Sequence, residues 1–239
     1  MKIHVGTSGY GYKEWKGKFY PEKISPHDML HFYGERFRTV EINYTFYHMP
    51  TVAGLYSWAE QVPEEFFFAF KAPQVITHFK LLRNVAEETS YFFKTLALLE
   101  KRLGPALFQF PGSFRANPAL LADFLTHIPA GSRCAFEFRS KSWFTKEILE
   151  LLRARGCSLC TADTDEKPAE TIVSTASWGY LRLRRADYTE ADLEAWLERI
   201  LAQQWEEVFV YFKHEDEARG PELARLFQEL AAARKGTAV

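Results

Sequence analysis

Six segments of this chain end alike, each an apolar run interrupted by a polar side chain just before a turn. They are Glu41-Ile42-Asn43, Phe68-Ala69-Phe70-Lys71, Leu107-Phe108-Gln109-Phe110-Pro111, Ala135-Phe136-Glu137-Phe138-Arg139, Thr161-Ala162-Asp163 and Tyr180-Leu181-Arg182-Leu183-Arg184. Tyr211 joins them from the last such run. Glu41, Lys71, Gln109, Glu137, Asp163, Arg182 and Tyr211 together offer acids, amines and neutral donors, the side chains that proton transfer needs. Carboxyl and amine groups suit it best where desolvation and chosen neighbours move their pKa values toward neutrality. Glu137 and Lys71 are the first candidates, with Asp163 and Glu41 completing the catalytic set. Arg139 and Arg182 can clamp a carboxylate or phosphate bidentately, and Asn43, Gln109 and Tyr211 can orient polar groups of a ligand. Lys71 also admits imine chemistry with a carbonyl substrate, which the nearby acids oppose by holding the amine protonated.

Aromatic side chains form a second set. Tyr10, Tyr12, Trp15, Phe19 and Tyr20 follow the first apolar run, Phe46 and Tyr47 the second, and Trp143 the fifth. Rings of this kind stack on sugars or bases, or pack a loop down as a lid. Phe19 and Phe46 fit the lid, having no polar handle, whereas Trp15, Trp143 and Tyr47 are expected to contact a ligand. The turn Gly6-Thr7-Ser8-Gly9 offers backbone amides to an anion without a full phosphate-loop signature, and Ser8 is counted with the ligand-binding residues. The seven histidines show no metal-binding spacing. Glu41, Glu137 and Asp163 could supply oxygen ligands to magnesium or manganese, but the competing cations weaken that expectation, and no cofactor is expected. His214-Glu215-Asp216-Glu217 reads as a solvated charge run.

To gather these residues the chain must alternate strands and helices. Strands are expected at residues 2–8, 39–44, 66–71, 106–110, 134–139, 157–162, 179–184 and 207–213. Between them lie helical periods, as in Val52 to Val62, Ala86 to Leu103, Pro118 to His127, Lys146 to Arg155 and Glu190 to Ala202, with Pro221 to Ala232 closing the chain. Asn117 before Pro118, Gly104-Pro105 and Gly156 read as helix boundaries. Eight parallel strands in this length favour a (β/α)8 TIM-barrel-like α/β fold, expected as one domain over residues 1–239. Its strand ends would bring the polar residues to a common mouth. Phe68, Phe70, Phe108, Phe110, Phe136 and Phe138 face outward under the helices, and Ala69, Lys71, Gln109, Ala135 and Glu137 face inward. The crossover after the sixth strand, Thr164 to Trp178, has no helical period and is expected to be irregular.

Bulk properties exclude some roles. With 30 Lys and Arg against 31 Asp and Glu, the net charge of -1 gives no global pull toward nucleic acid or anionic membrane. No apolar run reaches membrane-spanning length and no secretory signal opens the sequence, so a cytoplasmic protein without membrane association is expected. Cys157 and Cys160 spell C-x-x-C, yet on one strand residues three apart point to opposite faces, so buried structural thiols are expected rather than a redox or zinc pair.

The segments quoted above, together with Gly6-Thr7-Ser8-Gly9-Tyr10, Trp15-Lys16-Gly17 and Phe19-Tyr20-Pro21, resemble the DUF72 family, also called YecE-like or UPF0759 proteins. The most specific parts are Glu41 to Tyr47, Phe70-Lys71-Ala72-Pro73, Leu107 to Pro111, and Glu137-Phe138-Arg139 with Ser142-Trp143. The resemblance implies a TIM-barrel-like fold, sometimes described as related to sugar isomerases, with no assigned activity. Where many members read Arg-Leu-His-Gly, this chain has Arg182-Leu183-Arg184-Arg185, and Phe212-Lys213-His214 departs likewise. Both changes add positive charge at the expected mouth and shift the expected ligand toward an anion.

The leading expectation is an enzyme, an isomerase, lyase or hydrolase, doing acid/base chemistry on a polar or anionic, sugar-like small molecule. Its rival is a non-enzymatic protein binding a metabolite or single-stranded nucleic acid through aromatic rings and arginines, the nucleic acid disfavoured by charge. An ion-pair network that merely fills the barrel top is the bland alternative.

Overall fold

The computed structural model describes residues 1–213 and 216–236. His214 and Glu215 of the charge run lie outside the described residues. The strands are β1 (Lys2–Ser8), β2 (Thr39–Ile42), β3 (Phe67–Lys71), β4 (Leu103–Phe110), β5 (Cys134–Phe138), β6 (Ser158–Leu159), β7 (Thr161–Asp163), β8 (Trp178–Leu183) and β9 (Glu207–Phe212). All pairings are parallel, in the order β6-β5-β4-β3-β2-β1-β9-β8-β7. β6 and β7 are one barrel strand broken at Cys160. The first half pairs with β5 and the second with β8, so this residue brings the two edges of the sheet together. The eight expected strand positions are thus present, forming a TIM-barrel-like α/β fold.

The helices are α1 (Met29–Gly34), α2 (Tyr44–Tyr47), α3 (Val52–Ala59), α4 (Ala86–Leu96), α5 (Pro118–Thr126), α6 (Lys146–Ala154), α7 (Glu190–Leu201) and α8 (Arg219–Gly236). Side chains begin several of them as the sequence dictates. Asn117 accepts from the Leu120 amide with Pro118 at the first turn, and Thr189 and Asp192 form a capping box on α7. Gly104-Pro105 does not end a helix. The helical stretch closes through a 3-10 segment, Ala97–Arg102, with Glu100 at φ 48°, and Gly104 and Pro105 lie inside β4. There the register against β3 slips between Phe68 and Phe70, and a Cβ on Gly104 would stand 2.8 Å from the Phe68 carbonyl oxygen. Only glycine permits that approach.

Phe68, Phe70, Phe108, Phe110, Phe136 and Phe138 pack outward against the helices, while Ala69, Leu107, Ala135, Cys160, Tyr180, Phe209 and Tyr211 form a separate apolar cluster inside the barrel, against which Phe67 packs. Cys157 belongs to the outer core and Cys160 to the inner one, so their thiols diverge as expected, and both are free and buried. Burial pushes the Cys157 thiol up to about 12. The 164–177 crossover contains no helix or strand. Among the described residues no helix is long and apolar enough to cross a membrane.

Candidate active site at the barrel mouth

Adjacent parallel strands place register partners on the same face. Ser8 stands beside Glu41, Gln109 beside Glu137, and Ala162 beside Arg182. The alternation that sends Phe136, Phe138 and Leu183 outward therefore sends Glu137 and Arg182 inward. Arg182 lies between the two carboxylates, donating from Nη1 to Glu137 Oε2 at 2.7 Å and from Nη2 to Glu41 Oε1 at 3.0 Å. The other oxygens are occupied as well. Tyr180 donates to Glu41 Oε2 at 2.7 Å, Ser8 donates to Glu41 Oε1, and Gln109 donates to Glu137 Oε1 at 2.7 Å. Asn43 donates to the Ser8 hydroxyl at 2.9 Å and so fixes its direction.

Burial alone would raise both carboxyl groups, but Arg182 and the surrounding donors outweigh it. Glu41 is held below its ordinary value, and Glu137 falls to about 2. Both are ionised acceptors at neutral pH. Tyr180 moves the other way, raised first by burial and then by the Glu41 charge. The Arg182 Nε–H, also buried, has no hydrogen-bond partner among the described residues.

Above this plug lies a cavity of about 260 Å³ whose charged lining is all cationic: Lys71, Arg139, Arg182, Arg184 and Lys213. Asn43, Gln109, Tyr12, Phe46 and Tyr47 complete its walls. The Lys71 ammonium stands 3.9 Å from the centre of the Phe46 ring and makes no ion pair or side-chain hydrogen bond among the described residues. Burial, and next the repulsion of Arg182, bring Lys71 down to about 8 despite the opposing pull of Glu41 and Glu137. Arg184 is lowered for the same first two reasons. Arg139 reaches Glu137 only loosely, at 3.8 Å, and is half exposed.

Four expected site residues are placed elsewhere. Asp163 neighbours Leu183 rather than Arg182, so it faces away from the mouth. It accepts from the Tyr188 hydroxyl at 2.5 Å and from the Ala169 amide at 2.7 Å, tying down the crossover loop. Tyr211 does enter the barrel, but its hydroxyl meets Thr39 Oγ1 at 2.7 Å in the layer beneath Glu41. Trp15 is buried among Tyr12, Phe19 and Tyr20, the centre of the first loop's aromatic packing. Trp143 stacks on Phe138 at 4.5 Å and donates to the Phe114 carbonyl at 2.8 Å. Both indoles therefore hold loops rather than form a rim. Tyr47 is where the sequence reading put it, exposed at the cavity edge. Because Asp163 is turned away and Arg182 separates Glu41 from Glu137, these three carboxylates do not gather as a magnesium or manganese site. Among the described residues no group of three or more His, Cys, Asp or Glu is arranged to hold a metal.

Some site residues escaped the sequence reading. Phe46, assigned to lid packing, forms the wall beneath Lys71. Tyr180 lies two residues before Arg182, and strand alternation puts it on the same face; Arg184, expected from the sequence as added positive charge at the mouth, lines the cavity. His78 sits on a π-helical turn, Val75–Phe79, with its ring 4.9 Å from that of Phe46. Burial lowers its pKa first, then Lys71 and Arg139. A two-residue alternation counted back from Arg182 would have found Tyr180; no sequence signal pointed to His78.

The family model described as "Protein of unknown function DUF72" matches residues 4–238. The chain belongs to the DUF72 family. The UPF0759 protein YunF of Bacillus subtilis (strain 168) is 28% identical over 256 residues, covering 89% of this chain and 88% of its own. The UPF0759 protein YecE of Escherichia coli (strain K12) is 32% identical over 126 residues, covering 52% of this chain and 46% of its own. A crystal structure of a DUF72 family protein from Thermotoga maritima MSB8 superposes with a TM-score of 0.84 at 26% identity, covering 97% of this chain and 100% of that one. The DUF72 family fold is thus the fold of this chain, and none of these names carries an activity.

Proposed function

We propose that this DUF72 protein is an enzyme that binds an anionic small molecule at the barrel mouth and uses Lys71 for proton transfer. The observation that carries the reading is the contrast within one site: two carboxylates with a donor on every oxygen, and one amine with no ion-pair or hydrogen-bond partner among the described residues, inside a cationic cavity. A carboxylate with a pKa of about 2 is a poor base, so Glu137 serves here by holding Arg182. An amine near 8 exists in both protonation states close to neutral pH and can take up or release a proton. Arg139, Arg182 and Arg184 supply charge for the substrate's anionic group, and Asn43 and Gln109 offer it neutral contacts. This assigns the chemistry to an isomerase or lyase step, because proton abstraction from carbon suits an amine base.

The test is deuterium exchange. A panel of anionic carbonyl compounds and uncharged counterparts is incubated in D2O with the wild-type protein and with Lys71→Met. The reading expects at least one compound to gain deuterium at carbon with wild type and not with the variant. Undiminished exchange with Lys71→Met would refute the role of Lys71, and exchange confined to uncharged compounds would refute the anionic substrate.

A further inference from the structure

A second cavity, of about 630 Å³, opens beside the cationic one under the 164–173 segment. Its walls combine apolar surface from Phe144, Leu159, Ala162 and Val173 with charged side chains of the loop. Arg139 and Arg184 line both cavities, so the two chambers meet at these guanidinium groups. Neither arginine is neutralised there. Arg184 makes no side-chain ion pair among the described residues, and Arg139 has only its loose approach to Glu137.

The chambers differ in what they can hold. The smaller has room for a compact group and presents Lys71, Arg139 and Arg184 without closely paired acids, in addition to the paired Arg182. Several cations around one small space are better offset by a dianion than by a singly charged carboxylate. The larger has the size of an ordinary small-ligand pocket and the mixed lining such pockets use. Phe144, half exposed, offers it an aromatic face. The loop roofing it is held in place from beneath, since Asp163 accepts from the Ala169 amide and Lys167 Nζ donates to the Arg139 carbonyl at 3.5 Å.

We infer that the ligand is a phosphomonoester of a ring-bearing body, with its phosphate in the small cationic chamber, its ring in the large one, and Arg139 and Arg184 bracketing the ester link. This rests on the anionic-substrate reading above and adds the second chamber and the charge of the head group.

Isothermal titration with inorganic phosphate, phenyl phosphate and benzoate tests it on the full chain. Phenyl phosphate is expected to bind on the order of tenfold more tightly than inorganic phosphate, through burial of its ring, and more tightly than benzoate, through its second charge. Ala162→Leu, which narrows the large chamber, should erase the advantage over inorganic phosphate. Phe144→Ala, a half-exposed position whose truncation spares the core, should lower the same advantage and decides the matter if Ala162→Leu does not fold. Equal affinities for phosphate and phenyl phosphate, or an advantage untouched by Phe144→Ala, would overturn the two-chamber inference and leave the anionic reading standing. Benzoate binding as tightly as phenyl phosphate would overturn the dianionic head group. If none of the three binds, both this inference and the anionic-substrate reading fall.

Discussion

The two ends of the barrel are built from the same kinds of residue and reach opposite results. At the N-terminal end of the strands, Glu207 accepts from Arg133 at 2.6 Å and contacts His4 at 3.2 Å, while Arg133 also donates to the Leu103 carbonyl at 2.9 Å. His4 stacks on Phe209 at 4.5 Å, and Phe67 meets it edge-on at 4.9 Å. One carboxylate meets one guanidinium, and rings close over them. At the C-terminal end one guanidinium serves two carboxylates, and further cations face a cavity. Among the described residues, charge is balanced below, while Lys71 and Arg184 above make no ion pair. Leftover charge beside open space is what the proposed anionic ligand would use.

That comparison can be broken most forcefully at Arg182. Arg182→Met would leave Glu41 and Glu137 buried without their counter-charge, an expected loss of about 3–5 kcal/mol, read as a large fall in the denaturant midpoint. A loss no greater than that of a surface substitution would show the plug to be energetically idle. Arg133→Ala at the lower end should cost less, about 2 kcal/mol, because Glu207 keeps His4 and some water access. It should leave anion affinity at the mouth unchanged, and a matching fall in affinity would merge the two ends into one functional unit.

Titration separates the ends from the amine. Glu137 and Glu207, each lowered to about 2, and Glu41, also lowered, contribute stability that is fully present above the ordinary carboxyl value of 4.5. As pH falls from there toward about 2, the folded state must take up their protons and that stability is lost. Lys71 acts in another window. Its folded value of about 8 lies below the ordinary 10.5, so between them the unfolded chain binds more protons and stability rises with pH. Unfolding measured from pH 8 to 10.5 should show this rise in wild type and less of it in Lys71→Met, with parallel curves contradicting the shift. The smallest effect belongs to Tyr47→Ala, an exposed position expected to change stability by less than about 0.5 kcal/mol.

How far the sequence carried this picture depended on strand alternation. The ring of Glu41, Lys71, Gln109, Glu137 and Arg182 was legible because each interrupts an apolar strand on the inward face. Asp163 was misplaced although the same rule was available: Cys160 lies inside, hence Ala162, hence Asp163 outside. A single-residue slip reverses every side chain of a strand. Tyr211 obeyed the alternation but not the depth, since the stagger of the barrel decides which inward residue reaches the mouth. Trp15 and Trp143 were unreadable from sequence because an indole on a loop packs as readily as it binds. The hydrogen bond from Trp143 to Phe114 that settles its role is a long-range contact. Glu137 shows the same limit in energetic form, since its depressed pKa depends on Arg182, which lies forty-five residues away and across the barrel.

At the upper end, burial and the neighbouring Arg182 make the Lys71 amine acidic. Direct nuclear magnetic resonance titration of the Lys71 side chain, assigned by comparison with Lys71→Met, measures this. An inflection near pH 8 is expected, moving upward when an anionic ligand such as phosphate is added. An inflection near the ordinary 10.5, unmoved by anions, would contradict it.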